Sequence, residues 1–379
     1  MIAFLINELD IRGGTHKQFL KLLEYTRSKT DDFFIVTKRV DFDKTYPGFK
    51  AFKDKIRVFT PTVQHSRIKR FLNRAKYRSE IKEVLKDADC INIHDQGYEF
   101  YLPALKDKKI VWQVNDLPGC FAVGNAKNAK IDWKTRIIKF FIKRAAKVVD
   151  VFTVNVTKNA ERISKAFKRD AQVLYCGIEA VGLKHNEAES LERFKKKQIN
   201  LLSSGVFFPY RNYETQIEVV KILKEKGWKI KLNIIGSTEL DKEYSRHIKD
   251  LIKQQGLEGE INVCGQVNEN EFRELHLNSD IFLFINIDQS WGLAVFEAMS
   301  CGIPVIVSES VGATEILNNG IDSVFVNPTD AKEIADKIIY LATTPDFYKE
   351  ISNKSADFHL SYSWDKSYSE PMYKILTAE

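Results

Sequence analysis

Cysteine is scarce and scattered in this 379-residue chain: Cys90, Cys120, Cys176, Cys264 and Cys301, with no CxxC or CxH spacing. An odd, dispersed set argues against a disulfide framework and against a zinc site, and it suits a reducing compartment. Glycine (18) and proline (9) are also few, which sets aside collagen-like, low-complexity and disordered chains. No run approaches the ~18 apolar residues that would span a bilayer. The opening MIAFLINELDIRGG has no basic region before its apolar stretch and no A-x-A cleavage pattern, so it reads as a first strand and not as a leader. The expected location is cytoplasmic, at most on the cytoplasmic face of the inner membrane.

What is present is ordinarily globular: 44% hydrophobic and 29% charged residues, with a formal net charge of +7. At ~150 residues per domain the length suggests two domains. The charge is unevenly shared. Residues 1–180 hold 36 Lys+Arg against 21 Asp+Glu, and residues 181–379 hold 22 against 30, so the halves carry +15 and −8. A basic front and an acidic back suggest two domains facing different partners.

Short apolar runs alternate with amphipathic stretches throughout. IAFLINEL, FFIVTKRV, IRVFT, CINIHD, IVWQVND and VVDVFTVN read as strands in the front half; INLLSSGVF, KIKLNIIGS, INVCG, DIFLFINI, PVIVS and SVFVN do so in the back half. Helical patterns of ~10–15 residues lie between them, the signature of parallel sheets covered by helices. The fold class is therefore α/β, with two doubly wound, Rossmann-like domains. The spacing places one domain at 1–181, a polar linker at 182–198, the second domain at 199–360 and a closing helix at 361–379 that returns to the first domain. In such sheets ligands bind beyond the carboxyl ends of the strands.

The segment DQSWGLAVFEAMSCGIPVIVSESVGATEIL, residues 288–317, carries the clearest chemical signal. Gly292 suits a tight turn before a helix, whose first amides at Gly292, Leu293 and Ala294 attract an anion. Glu297, about one turn later, offers two acceptor oxygens to a pair of sugar hydroxyls. The same pattern also fits an ordinary helix–strand unit with a solvated glutamate.

This segment resembles the signature of family 4 retaining glycosyltransferases of the GT-B fold, an E-x7-E pattern in the frame E-G-F-G-L-x-x-L-E-A-M-A-C-G-x-P-V. The resemblance implies that Glu297 holds a nucleotide ribose and that Gln289, where the family has its first Glu, contacts the donor sugar without a negative charge. SSGVFFPYRNYETQIEV resembles the family's G-R-L-x-x-x-K-G segment. Val206 replaces the family's Arg there, and Arg211 takes the place of its Lys as the diphosphate grip. The FFPYRNYE stretch leans toward a GDP-hexose of the mannose or rhamnose type. Gly236 falls in the family's strand-turn, Val267 in its nucleobase-facing turn, and Val311 to Glu315 in its G-G-x-x-E loop.

In the front half Gly13-Gly14 resemble the family's G-G loop, an alternative to a plain turn; there is no GxGxxG dinucleotide fingerprint. His94-Asp95 and Asn115-Asp116 end two strands at the ligand-binding edge. Asn115 stands where members often carry a donor-contacting His. His94 is read either as an acceptor or acid–base contact or as a structural histidine. The resemblance implies an acceptor-binding first domain, a donor-binding second domain, and transfer of a hexose from a UDP- or GDP-sugar to a glycan or glycolipid in bacterial surface polysaccharide synthesis. No metal or other cofactor is expected. A sugar-nucleotide epimerase, a glycan phosphorylase or a non-catalytic sugar-nucleotide or glycan binder are the alternatives. RIKRFLNRAKYR and KTRIIKFFIKR interleave basic with apolar residues, a pattern for an anionic lipid surface or for one packed and one solvated face. No aromatic stacking motif of the RNA-binding type accompanies them, so nucleic acid is not an expected partner.

Overall fold

The computed structural model describes residues 1–60, 74–118, 121, 133–287 and 291–378. The chain divides into two compact units, residues 1–177 with 364–379, and residues 178–363. Among the described residues each unit is built on one parallel sheet.

In the first unit the strands are β1 (Ile2–Ile6), β2 (Phe33–Thr37), β3 (Ile56–Val58), β4 (Cys90–His94), β5 (Lys109–Val114), β6 (Val151–Val154) and β7 (Ala171–Val173), in the order β3-β2-β1-β4-β5-β6-β7. β1, β2 and β4 are buried at every position, as befits strands covered by helices on both faces. Their apolar runs made them legible in advance; the half-buried three-residue β7 has no such run. Chain order reverses between β1 and β4, which opens a crevice at their carboxyl ends.

The second unit repeats the plan with β8 (Gln198–Ser204), β9 (Lys229–Ile235), β10 (Ile261–Gly265), β11 (Ile281–Phe284), β12 (Val305–Ser308) and β13 (Val324–Val326), ordered β10-β9-β8-β11-β12-β13. Its reversal point lies between β8 and β11. Leu201, Leu232, Ile234, Leu283 and Ile306 form the sheet side of its core, and Val220, Ile248 and Ile338 come from the covering helices.

Residues 182–198, read from the sequence as a linker, belong instead to the second unit. They include the helix Glu187–Lys195, with Ser190 and Phe194 buried. Arg193 grips the fully buried Asp280 through Nε at 2.9 Å and Nη2 at 2.6 Å. Asp280 also accepts the Ser190 hydroxyl and, at 2.7 Å, the Asn200 backbone N–H. Removing one partner of such a buried pair costs roughly 3–5 kcal/mol, so this polar stretch is fastened and not free. The two chain crossings fall at Gly177/Ile178 and Ser363/Trp364. A Cβ on Gly177 would lie 2.1 Å from the Trp364 Cα, so only glycine lets these segments pass so closely. The chain ends on a short π-helical turn, Asp365–Ser369, and the helix Glu370–Thr377, both in the first unit.

Candidate functional site

In the second unit three neighbouring strands end in glycine. Gly205 follows β8, Gly236 follows β9 and Gly265 closes β10. Their backbones are linked by Gly205 N–H to Ile235 O and Gly236 N–H to Gly265 O, both at 2.8 Å. Gly236 has φ +147°, and a Cβ there would come within 1.9 Å of the Gly205 carbonyl oxygen. A Cβ on Gly205 would in turn strike the Arg211 guanidinium at 2.6 Å. The absence of side chains at these strand ends therefore makes the seat in which Arg211 lies.

Arg211 closes a 3₁₀ turn, Pro209–Arg211. Its guanidinium carbon stands 5.2 Å from the centre of the Tyr210 ring and 5.7 Å from that of Phe284. The group is half-buried, its Nε has no hydrogen-bond partner, and no carboxylate among the described residues pairs with it. A guanidinium held by rings and left without a carboxylate is a fixed cation open to an incoming anion. Asn212, in a left-handed backbone (φ +57°), fixes the turn by donating Nδ2 to Ile285 O at 3.1 Å and to Pro328 O at 2.7 Å. The Ile287 N–H bonds the Tyr210 carbonyl at 2.7 Å, so the turn is tied across to the chain leaving β11.

On that side Gly292 caps the helix Leu293–Ser300 with φ +104°. A Cβ on Gly292 would meet the Phe284 ring at 2.8 Å, the same ring that faces Arg211. The helix has no acidic residue in its first turn and no side-chain cap, so the amides of Leu293 and Ala294 lack intrahelical acceptors. Glu297, half-buried, lies in the second turn within electrostatic reach of the buried His276, whose imidazole is held below its ordinary pKa mainly by burial. Val267, half-buried, sits between Gly265 and the helix cap Asn268. Ser310 donates its hydroxyl to Asn286 O at 3.1 Å, and the Ala313 N–H bonds Trp291 O at 3.0 Å, so residues 310–313 flank the chain on either side of 288–290. Gln289 lies outside the described residues, as do its neighbours Asp288 and Ser290.

In the first unit Gly13 precedes the helix Gly14–Lys29 in an extended conformation, and its helix also begins without acidic residues or a side-chain cap. Asn115 is buried in a continuous polar network and does not project into open space. Its Nδ2 donates to Gln18 Oε1 at 2.8 Å and to Thr15 Oγ1 at 3.3 Å, and its Oδ1 accepts Gln113 Nε2 at 2.9 Å. Both sides of its amide are thus engaged in holding the helix start. His94 is fully buried beneath that helix, 5.0 Å from the Phe19 ring, and neither ring nitrogen has a hydrogen-bond partner. An open strand-end acid–base group is not what this geometry provides: burial, aided by nearby His16, lowers its pKa to about 3 and keeps the imidazole neutral.

Sequence reading gave no role to Asp95, the residue after His94. Its backbone is left-handed (φ +66°), unusual for a residue with a side chain. Burial, reinforced by the charges of Asp116 and Glu99, raises its pKa to about 7. Among the described residues no three His, Cys, Asp or Glu side chains cluster as for a metal ion, and no helix is long and apolar enough to cross a membrane.

Residues 184–358 match the family model described as glycosyl transferases group 1. A stretch of 226 residues is 25% identical to the O-antigen chain mannosyltransferase RfbU of Salmonella typhimurium, covering 59% of this chain and 58% of that protein's length. The fold is similar to that of Anabaena HepE solved with UDP, at 14% identity and TM-score 0.78 over 100% of both chains. It is likewise similar to WaaG, a glycosyltransferase involved in lipopolysaccharide biosynthesis, at 17% identity and TM-score 0.73 over 100% of both.

The buried histidine sets a pH dependence. The unfolded chain protonates His94 below about 6.5 while the folded chain resists until about 3. Between these values folding loses about 1.4 kcal/mol per pH unit from this group, and nothing above 6.5. Replacing His94 by Leu is expected to make the fall of the urea midpoint between pH 6.5 and 4.5 shallower than in the parent; an equal slope would contradict the burial-driven shift.

Proposed function

Since residues 184–358 belong to the glycosyl transferases group 1 family and the chain carries the two Rossmann-like sheets of the GT-B fold, we propose that this protein transfers a hexose from a UDP- or GDP-sugar to a glycan or lipid-linked glycan. Bacterial cell-surface polysaccharide synthesis is the proposed setting, in keeping with the O-antigen role of RfbU and the lipopolysaccharide role of WaaG. The observation that carries the reading is the seat of Arg211, a cation that no carboxylate among the described residues pairs with, at the β8/β11 reversal point.

The donor's diphosphate would lie between the Arg211 guanidinium and the amides of Leu293 and Ala294, where developing negative charge is met by fixed donors. Glu297 would take the ribose hydroxyls and Gln289 the sugar. Gly236 and Val267 would line the nucleoside side, and Gly14 is proposed as a further donor contact, as the family resemblance implies. Arg211 and backbone amides supply the positive potential that the −8 half of the chain lacks overall, and the proposal includes no metal ion. Retention of anomeric configuration, with attack from the face that the diphosphate leaves, completes the proposed reaction.

A membrane-surface location is favoured by the helix Trp133–Ala145. Trp133 (68% exposed), Ile137 (45%) and Phe140 (61%) stand out from it among Arg136, Lys139, Lys143 and Arg144. Exposed Trp and Phe interleaved with cations suit the boundary between headgroups and acyl chains of an anionic leaflet.

Two experiments test these proposals. Arg211→Ala is expected to weaken UDP- or GDP-sugar binding by at least tenfold in calorimetry, since a charge-assisted contact is worth about 1.5–3 kcal/mol. Unchanged affinity would remove Arg211 from the diphosphate site, and no binding of any such donor at millimolar concentration by the parent protein would sink the transferase reading. In vesicle flotation, Phe140→Ser should lower recovery on phosphatidylglycerol-containing vesicles several-fold, and added salt should lower it further; equal recovery of parent and variant would refute the membrane face.

A further inference from the structure

The seat of Arg211 has a further member that no sequence motif indicates. Tyr213 opens the helix Tyr213–Glu225 and is only 1% exposed. Its hydroxyl donates to the Gly205 carbonyl at 2.8 Å. That carbonyl oxygen is the atom that a Cβ on Gly236 would approach to 1.9 Å. Gly205 O is therefore held between the bare backbone of Gly236 and the Tyr213 phenol. The other side of Gly205 bounds the guanidinium, since a Cβ there would come within 2.6 Å of Arg211 Cζ.

The phenol is itself fixed in place. Its ring packs on Phe207 with centroids 4.6 Å apart, and both belong to the apolar core of the second unit. The Phe207 N–H bonds Ser237 O at 3.1 Å, which ties this ring pair to the residue after Gly236. The Tyr213 backbone N–H donates to the Tyr244 hydroxyl at 3.4 Å, and that hydroxyl donates to Glu214 Oε2 at 2.7 Å. Asn212, left-handed, separates Arg211 from Tyr213, and its turn lets both neighbours meet Gly205, one with its guanidinium and one with its hydroxyl. Burial raises the Tyr213 pKa, and the Arg211 charge only partly opposes this, so the hydroxyl stays a donor.

We infer that Tyr213 is a positioning residue for the donor diphosphate: its hydroxyl fixes the Gly205 carbonyl, and through it the backbone against which the Arg211 guanidinium lies. This role rests on the transferase reading and extends it to a residue that acts through Arg211 and not on the donor. Phenylalanine would fill the same volume in the core, so what the hydroxyl adds is the bond to Gly205. A guanidinium with a fixed seat keeps its charge-assisted bonds to phosphate aligned. One whose seat can shift gives up part of that binding to ordering.

The test is a double-mutant cycle of Tyr213→Phe with Arg211→Ala in the full chain, with UDP and GDP as probes, read by calorimetry and, for variants of millimolar affinity, by saturation-transfer NMR. Tyr213→Phe is expected to weaken binding of whichever nucleotide the parent takes by about threefold to fivefold, as for one neutral hydrogen bond. In the Arg211→Ala background the same substitution is expected to change nothing further, because residues that act through one another are not additive. A role in packing alone would cost the same in both backgrounds. Should Tyr213→Phe fail to fold, Tyr244→Phe, which releases the Tyr213 N–H, enters the same cycle with a loss of about twofold expected, again absent beside Arg211→Ala. Unchanged nucleotide affinity in the variant that folds, or equal losses in both backgrounds, would overturn the positioning role and leave the transferase reading standing. A parent that binds neither nucleotide nor any of their sugars at millimolar concentration would overturn that reading, and this role with it.

Discussion

The seat of Arg211 depends on two backbones approaching where no Cβ fits. Gly236 lies against the carbonyl of Gly205, and Gly205 lies against the guanidinium. Enlarging either residue would push apart β8 and β9 or displace the cation from between Tyr210 and Phe284. The Phe284 ring serves twice, because its edge also limits Gly292, the cap of the helix that offers Leu293 and Ala294 amides. The cation and the helix start are thus positioned by one aromatic ring and a row of strand-end glycines. Donors fixed in advance need not reorganise as charge develops, which is the physical advantage of building the site this way.

The same sheet plan is used differently in the two units. At the β8/β11 reversal Arg211 Nε and Asn286 Nδ2 have no partner among the described residues. At the β1/β4 reversal a buried polar network forms instead, although both His94 nitrogens and Gln18 Nε2 have no partner there among the described residues. Thr153, Gln113, Asn115 and Gln18 form a chain of hydrogen bonds that braces the helix Gly14–Lys29. The charge division of +15 and −8 follows this contrast in reverse. In the acidic half an anion would be met by local groups, and the basic half carries the exposed Trp133, Ile137 and Phe140 among its cations.

What could be read from the sequence follows the range of the forces involved. Strands such as β1, β4, β8 and β11 announce themselves by local apolar runs, and the parallel plan follows from their alternation with helices. Gly292 and Glu297 were legible because a helix start and its second turn are local patterns. The helix Glu187–Lys195 was mistaken for a linker because its anchor, Asp280, lies 87 residues from Arg193. Composition alone cannot register a pairing at that separation. Asp95 was placed at the ligand-binding edge, but its left-handed backbone was not legible, since it is imposed by Asn7, Lys38 and Trp112 from three other parts of the chain. His94 and Asn115 were correctly placed at strand ends, but only the tertiary structure reveals that helix Gly14–Lys29 closes over them.

The account stands or falls on where a nucleotide sits in the second unit. A crystal structure of the full chain grown with UDP or GDP tests it most directly. The account predicts a diphosphate bridging the Arg211 guanidinium and the Leu293 and Ala294 amides, with the ribose hydroxyls on Glu297. A nucleotide bound elsewhere, or one whose phosphates leave Arg211 untouched, would contradict it.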